Sequence, residues 1–321
     1  MRRAGRPGTH GLKTALRGLA LLLALVAGAV GVQHLRNSGG PALSDPPPGA
    51  LRVATFNVHY IWLNRAQGRW SVGDWQRRRG PLDATFKALD ADVVAFQEME
   101  SFAGGDDDSV NLARAWLLEN NPGYAAAAVG NWREFPSTQP IFYRTARLEA
   151  LRQGWFFFSE TPEVIYSRTF DGSYPAFASW ADFRQRDTGE TFRVINLHLD
   201  HSSAENRRKS IVLVADRVTG WIAAGRAVIL AGDLNARLGS SLHDRLERTG
   251  LSFLPVQGAS YHFDFGLNLY GAIDHLAHSA QFAPAGAPVV FRERAGAKWP
   301  ADHYPVVADL VREDAGTADL R

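Results

Sequence analysis

The run Val228 to Ala236, VILAGDLNA, constrains this chain more than any other stretch. Its first four residues carry no charge and no amide, so they read as the body of a buried strand. Asp233 and Asn235 follow two apart, where strand alternation sends both side chains to one face. A carboxylate and an amide at the open end of a buried strand suit a hard cation and a phosphoryl oxygen. Gly-Asp also opens turns, so this run alone leaves a plain turn as the alternative.

The same signal recurs along the chain. Asn57 ends one apolar strand, Gln97 and Glu98 end a second, and Asn196, His198 and Asp200 alternate along a third. Asp274 and His275 follow Ile273, while Asp302 and His303 precede a last strand. Acidic, amide and imidazole groups at the ends of otherwise apolar strands are how a metal–phosphate site is assembled from distant segments.

Composition narrows the chemistry. The chain has no cysteine, which excludes disulfides, zinc–thiolate sites, iron–sulfur clusters and thiol nucleophiles, and leaves it indifferent to an oxidising compartment. Nine tryptophans and eighteen phenylalanines in a chain that is 45% hydrophobic imply a substantial packed core. The formal charge of +2 is unevenly distributed: residues 1–50 hold six basic side chains against Asp45, a balance of +5, so the other 271 residues carry −3. The folded part therefore lacks the general basic character of a nucleic-acid binder, although a local basic groove is compatible with it.

Residues 1–36 read as a signal peptide or signal anchor: a basic head, Arg2 to Arg17, precedes fifteen uncharged residues, Gly18 to Val32. Counting Gln33, His34 and a snorkelling Arg17 brings the apolar stretch to about 18 residues, the lower end of a spanning helix. Ala27-Gly28-Ala29 offers a small-x-small cleavage site, but a retained anchor is the preferred reading. Either places the rest outside the cytoplasm, tethered or, if the leader is cut, secreted. Residues 37–50, with prolines at 46 to 48, read as a linker. The domain is expected over 51–312, with 313–321 a frayed tail.

Within the domain, strands are expected at Leu51–Tyr60, Val93–Gln97, Tyr124–Val129, Pro140–Arg144 and Gly154–Phe158. Ala181–Arg186 and Phe192–Leu199 suit a hairpin around Asp187-Thr188-Gly189. Further strands are expected at Val228–Leu230, Tyr261–Phe265, Ile273–Ala277, Val289–Arg292 and Val306–Leu310. Helices are expected at Leu82–Leu89, Val110–Glu119, Ser203–Ala223 and Leu242–Arg248, the third with an apolar stripe from Ile211 to Ile222. Gly68 to Pro81, rich in Arg and Trp, reads as a loop, and the three aspartates of Gly104 to Asp108 as a turn with some affinity for cations.

TFNV at 55–58, QE at 97–98, IFYR at 141–144, NLHLDH at 196–201, GDLN at 232–235, SYHFDF at 260–265, ID at 273–274 and ADHYPV at 301–306 together resemble the endonuclease/exonuclease/phosphatase superfamily. The resemblance spans Leu51 to Leu310 and implies a DNase I-like α/β fold (α+β), a four-layered sandwich of two mixed sheets flanked by helices. It also implies metal-dependent hydrolysis of phosphate esters by attack of water on phosphorus. Carried onto this chain, Glu98 holds the divalent metal, Mg²⁺ with Mn²⁺ as a substitute, with Asn57 and Asp302 nearby. Asp233 orients or deprotonates the water, Asn235 and His198 hold phosphoryl oxygens, and His303, polarised by Asp274, binds or protonates phosphate. Tyr143 adds a hydrogen bond or simply packs in the core. Asp200, His201, Arg207 and His262 support the site rather than touch substrate; Arg207 matches an arginine that ties site loops together in bacterial relatives. Departures from those relatives include Ala176 where an arginine is usual, His275 for an aromatic residue, and Ala301 for serine. None removes a residue of the expected site.

The expected activity is thus a phosphodiesterase or phosphatase outside the cytoplasm, acting on a small phosphodiester, a phospholipid head group or DNA. A DNA endonuclease is the enzymatic alternative, with Arg77 to Arg79, Trp70 and Trp75 as a basic, stacking rim. An apolar rim facing the anchor would instead favour a phospholipid. A tethered, non-catalytic phosphate-binding module is the non-enzymatic alternative and predicts a broken site. No signal for an obligate protein partner is present.

Overall fold

A computed structural model describes residues 9–103 and 110–313. The aspartate-rich turn at Asp106 to Asp108 lies outside the described residues. Helix α1 (Thr9–Arg36) leads to β1 (Leu51–Asn57), β2 (Ile61–Trp62), α2 (Val72–Leu89), β3 (Val93–Gln97) and β4 (Ser101–Phe102). Then come α3 (Leu112–Asn120), β5 (Tyr124–Ala127), β6 (Ile141–Arg144), β7 (Leu148–Phe157), β8 (Phe177–Gln185), β9 (Thr191–His198) and α4 (Ala204–Ala223). The chain ends through β10 (Val228–Asp233), α5 (Ser241–Glu247), β11 (Leu251–Phe253), β12 (Asp274–Ser279), β13 (Phe282–Pro284), β14 (Val289–Val290) and β15 (Val306–Arg312).

Two mixed sheets result. The first runs β13-β15-β1-β3-β6-β5 with β14 paired to β15, and the second runs β11-β12-β10-β9-β8-β7. Strand alternation explains why they stack. Val53, Val93, Ala95 and Val306 of the first sheet share one buried cluster with Phe183, Val194, Ile229 and Leu276 of the second. The neighbouring residues Ala54, Phe56, Val94 and Phe96 point the other way, against Leu82, Phe86 and Leu117 of α2 and α3. On the far side Ile195, Leu197, Val228 and Leu230 pack against Ile211, Val214 and Val218 of α4 and Leu242 and Leu246 of α5. Each central strand thus buries both faces, giving the four-layered α/β/β/α sandwich.

Two sequence expectations are corrected. α2 begins at Val72, not near Leu82, with the Ser71 hydroxyl accepting from the Asp74 amide as N-cap and Pro81 inside the helix. Pro81 forfeits one backbone bond to Arg77, but the buried face of Trp75, Arg78, Leu82 and Phe86 holds the helix on both sides of it. Residues 261–265 form no strand: Tyr261 makes a single bridge to His303, and Phe263 and Asp264 adopt positive φ. Residues 37–50 are irregular but not free. The Ala259 amide donates to the Asn37 carbonyl at 2.8 Å, and Arg292 Nη1 donates to the Gly39 carbonyl at 3.1 Å. The Arg52 guanidinium reaches the Ser44 carbonyl.

Candidate active site

Strand direction gathers the polar residues. β1 and β3 are parallel with Asn57 opposite Gln97, and β9 and β10 are parallel with His198 opposite Asp233. All four end at one rim. β12 runs antiparallel to β10 and so begins at that rim, with Asp274 opposite Asp233. β15 is antiparallel to β1, which puts Asp302 and His303, just before it, at the same rim. Gly232 permits the closeness: a Cβ there would stand 2.2 Å from the Leu197 carbonyl oxygen. Polar stitches lock the sheets beneath the rim. Gln97 Nε2 donates to Asn196 Oδ1 at 2.7 Å, and Asn196 Nδ2 donates to the Phe96 carbonyl at 2.7 Å.

At the rim, Asn57 Nδ2 donates to Glu98 Oε1 at 3.0 Å and to Asp233 Oδ2 at 3.2 Å. His198 Nε2 lies 3.7 Å from Glu98 Oε1 and 3.9 Å from Asp233 Oδ2. His303 Nε2 is 3.8 Å from Asp233 Oδ2, and its Nδ1 is 2.9 Å from Asp274 Oδ2. Burial would lower the His303 pKa, but the carboxylates of Asp274, Asp233 and Asp302 raise it to about 10, so the ring is an imidazolium at neutral pH. Burial and the Asp274 charge push Asp233 above the usual carboxylate range against the pull of both imidazoles. Burial also works against ionised Glu98, yet His59, His198, the Asn57 amide and His303 outweigh it and bring its pKa to about 2. Adjacent carboxylates are thereby driven apart, one held ionised and one poised to take a proton.

Glu98 Oε2 and Asp302 Oδ1 are buried without a hydrogen-bond partner. Orphaned carboxylate oxygens fit a hard cation with oxygen ligands, and the Asn57 amide holds the other oxygen of Glu98 in place. Asp233, Asp274 and His303 also converge, their ligating atoms within 4.8 Å of one another. There the imidazolium already supplies the positive charge, so the Glu98 and Asp302 pair is the better cation seat.

Of the other expected residues, Asn235 is at the rim in a left-handed conformation (φ 46°), its Nδ2 donating to the Leu199 carbonyl at 2.8 Å. Arg207 lines the cleft beside Asn235 and donates from Nη1 to the Asp200 carbonyl at 2.7 Å. The Asp200 carboxylate accepts from the Ser202 and Ser203 amides and so builds the turn into α4. His201 is exposed. His262 is buried, stacked on Tyr304 with centroids 4.0 Å apart, and donates its backbone amide to the Asp302 carbonyl. Tyr143 is not brought to the rim: it sits opposite Val93, at the far end of β3 and about 13 Å along the strand from Gln97, packed near Phe183.

One residue at the rim was not singled out from sequence, and Arg78, expected on a basic surface, has a different role. His59, φ 57°, is stacked on Trp70 at 3.1 Å with Nδ1 3.9 Å from Glu98 Oε2. Its place two residues after Asn57 was the available signal. Arg78 is fully buried and donates to four carbonyls, those of Val58, His59, Tyr60 and Pro300. It clamps the loop behind the rim rather than contributing to a nucleic-acid surface. Arg79 lies over Trp116 and Arg77 pairs with Asp74, both arginines exposed, while Trp70 of the expected rim reaches the site and stacks on His59.

The two sheets and the polar rim at their shared edge have counterparts among known proteins that act on phosphate esters. The Endonuclease/Exonuclease/phosphatase family matches residues 54–303, and the chain belongs to that family. Its members are typically dependent on a divalent metal. A mannosyl-6-phosphatase of Bacteroides thetaiotaomicron VPI-5482 is 27% identical, with TM-score 0.68 over 81% of this chain and 99% of that one. The human Nocturnin catalytic domain, 14% identical with TM-score 0.60 over 84% and 97% of the two chains, shares the fold. An uncharacterized protein of Acanthamoeba polyphaga mimivirus is 25% identical over 192 residues, 56% of this chain and 68% of that protein.

Proposed function

We propose that this protein is a divalent-metal-dependent hydrolase of phosphate esters, held at a membrane by α1 with its domain outside the cytoplasm. The observation that carries the reading is Asp233, within 4 Å of both His198 and His303 and bridged through Asn57 to Glu98. Glu98 and Asp302 would hold the cation, Mg²⁺ or Mn²⁺, with Asn57 orienting Glu98 through its amide nitrogen; when bound, the ion supplies Lewis-acid stabilisation of charge on the phosphoryl oxygens. His303, kept protonated by Asp274, donates to a phosphoryl oxygen as its charge grows. Because His303 is already an imidazolium, Asp233 is the group left to orient the water and take its proton. Asn235 and His198 complete the phosphoryl cradle.

The likeness to a mannosyl-6-phosphatase supports a monoester as a second reading of the substrate. The intact rim argues against a non-catalytic binding module, and a DNA endonuclease is the enzymatic alternative. The test offers plasmid DNA, a small phosphodiester, a phosphomonoester and phospholipid vesicles in parallel with Mg²⁺, using Asp233→Asn as control. Turnover of an ester that is lost in the variant is the expected result. Silence on all four by the folded protein would overturn the reading, and nicking alone would move it to nuclease.

A further inference from the structure

We infer that the mouth of this site is built to rest on a lipid bilayer, and that its phosphate ester is carried by a membrane lipid. This rests on the phosphoesterase reading above and names its substrate class. The starting point is the junction between α1 and the domain. Over Lys13–Arg36, 24 residues, the helix is apolar and none of it is buried. At 1.5 Å per residue that is about 36 Å, enough for a hydrocarbon core of about 30 Å. A free tether would leave the orientation of the domain undefined, but this junction is fastened. The Asn268 amide donates to His34 Nδ1 at 3.1 Å and Asn268 Nδ2 donates to Ser38 Oγ at 2.9 Å. Gly258, φ 80°, lets the backbones touch: a Cβ there would meet the Asn37 and Gly39 carbonyl oxygens at 2.6 and 2.8 Å.

The loop that grips the helix is also a wall of the site. Tyr261 bridges the His303 backbone, and its ring lies 4.9 Å from the His303 ring. Phe263 packs on Tyr261 at 4.5 Å. Farther along, Phe265 is 75% exposed and Tyr270 is 52% exposed. These lie three residues before and two after Asn268, so neither Cα is more than about 11 Å from the residue holding the helix end. The facing wall is continuous with them. Arg69 sits over Trp70 at 4.7 Å and 6.0 Å from the Phe265 ring, while Trp70 stacks on His59 beside Glu98.

Exposed aromatic rings with an arginine, at the level where a spanning helix leaves the hydrocarbon, are the composition of a membrane interface. The headgroup zone is roughly 5–8 Å deep on each side. A domain pinned by Asn268 therefore brings Phe265, Tyr270 and Arg69 into or against that zone, with Glu98 and His303 behind them. A phosphate held in the headgroup plane meets the site without leaving the bilayer.

The absence of cysteine makes the test direct. Full-length Phe265→Cys and Asp187→Cys would each carry an environment-sensitive fluorophore in liposomes containing spin-labelled lipid quenchers. Asp187 is exposed in the β8–β9 turn, at the end of β9 away from the rim and on the order of 25 Å from it. Quenching at 265 several-fold above that at 187 is expected; equal quenching would overturn the bilayer seat. Phe265→Ser with Tyr270→Ser is expected to cut turnover of phosphatidylglycerol and phosphatidylcholine vesicles at least tenfold, leaving bis-p-nitrophenyl phosphate turnover within twofold. Equal loss on both, or a wild type that turns over the soluble ester and ignores vesicles, would sink the lipid assignment. Failure of the wild type on every ester, with position 265 quenched, would instead remove the phosphoesterase reading and leave the bilayer seat standing.

Discussion

Asn57 gives one amide nitrogen to two carboxylates, Glu98 of the first sheet and Asp233 of the second. The proposed roles of the two carboxylates are separable by single substitutions. Asp233→Asn keeps the shape and removes the proposed proton acceptor, so kcat should fall about 10²- to 10⁴-fold with an unchanged melting temperature. Glu98→Gln should instead weaken cation binding at least about tenfold, read by calorimetric titration with Mg²⁺ or Mn²⁺. His59, Glu98 and Asn235 all hold positive φ directly at the rim. Non-glycine residues in that region cost about 1–3 kcal/mol each, strain that the surrounding strands must hold in place.

Among the elements, α2 does the holding on one side. Its Arg78 replaces water for four carbonyls, and burial lowers its pKa to about 10 without discharging it near neutral pH. Arg78→Met should cost about 3 kcal/mol or more, since buried carbonyls are left unpaired at about 1–3 kcal/mol each. Thermal melts would measure that loss, and Arg78→Lys should recover part of it. A melt unchanged by Arg78→Met would show that the loop does not depend on the clamp. The strands that build the rim were legible because apolar bodies end abruptly in Asn57, Glu98, His198 and Asp233. The first half of α2 was not, because Pro81 reads as a terminator and the Arg- and Trp-rich stretch before it reads as a loop. Tyr143 was left between a hydrogen bond at the site and core packing because a motif names a strand, but which end of it meets the rim depends on its direction in the sheet. The docked linker was illegible because its grip is made by backbone carbonyls, which leave no mark in side-chain chemistry.

At the scale of the molecule, acid should unfold the sandwich through its buried histidines. Burial holds His243 and His262 down to about 3, against an ordinary value of about 6.5. Below 6.5 the unfolded chain binds protons that the native state refuses, so this stability is complete above about 6.5 and is lost as pH falls toward 3. His243→Gln should reduce proton uptake on acid unfolding by about one, measured from the pH dependence of urea melts. The arrangement of the rim has another consequence. Glu98, Asp302 and His303 stand on one sheet and His198, Asp233 and Asn235 on the other, so a phosphate gripped by both sets acts as a clasp on the sandwich. Occupancy and cohesion are then a single equilibrium: at a hundred times its dissociation constant, a phosphate mimic would add about 2.7 kcal/mol to unfolding.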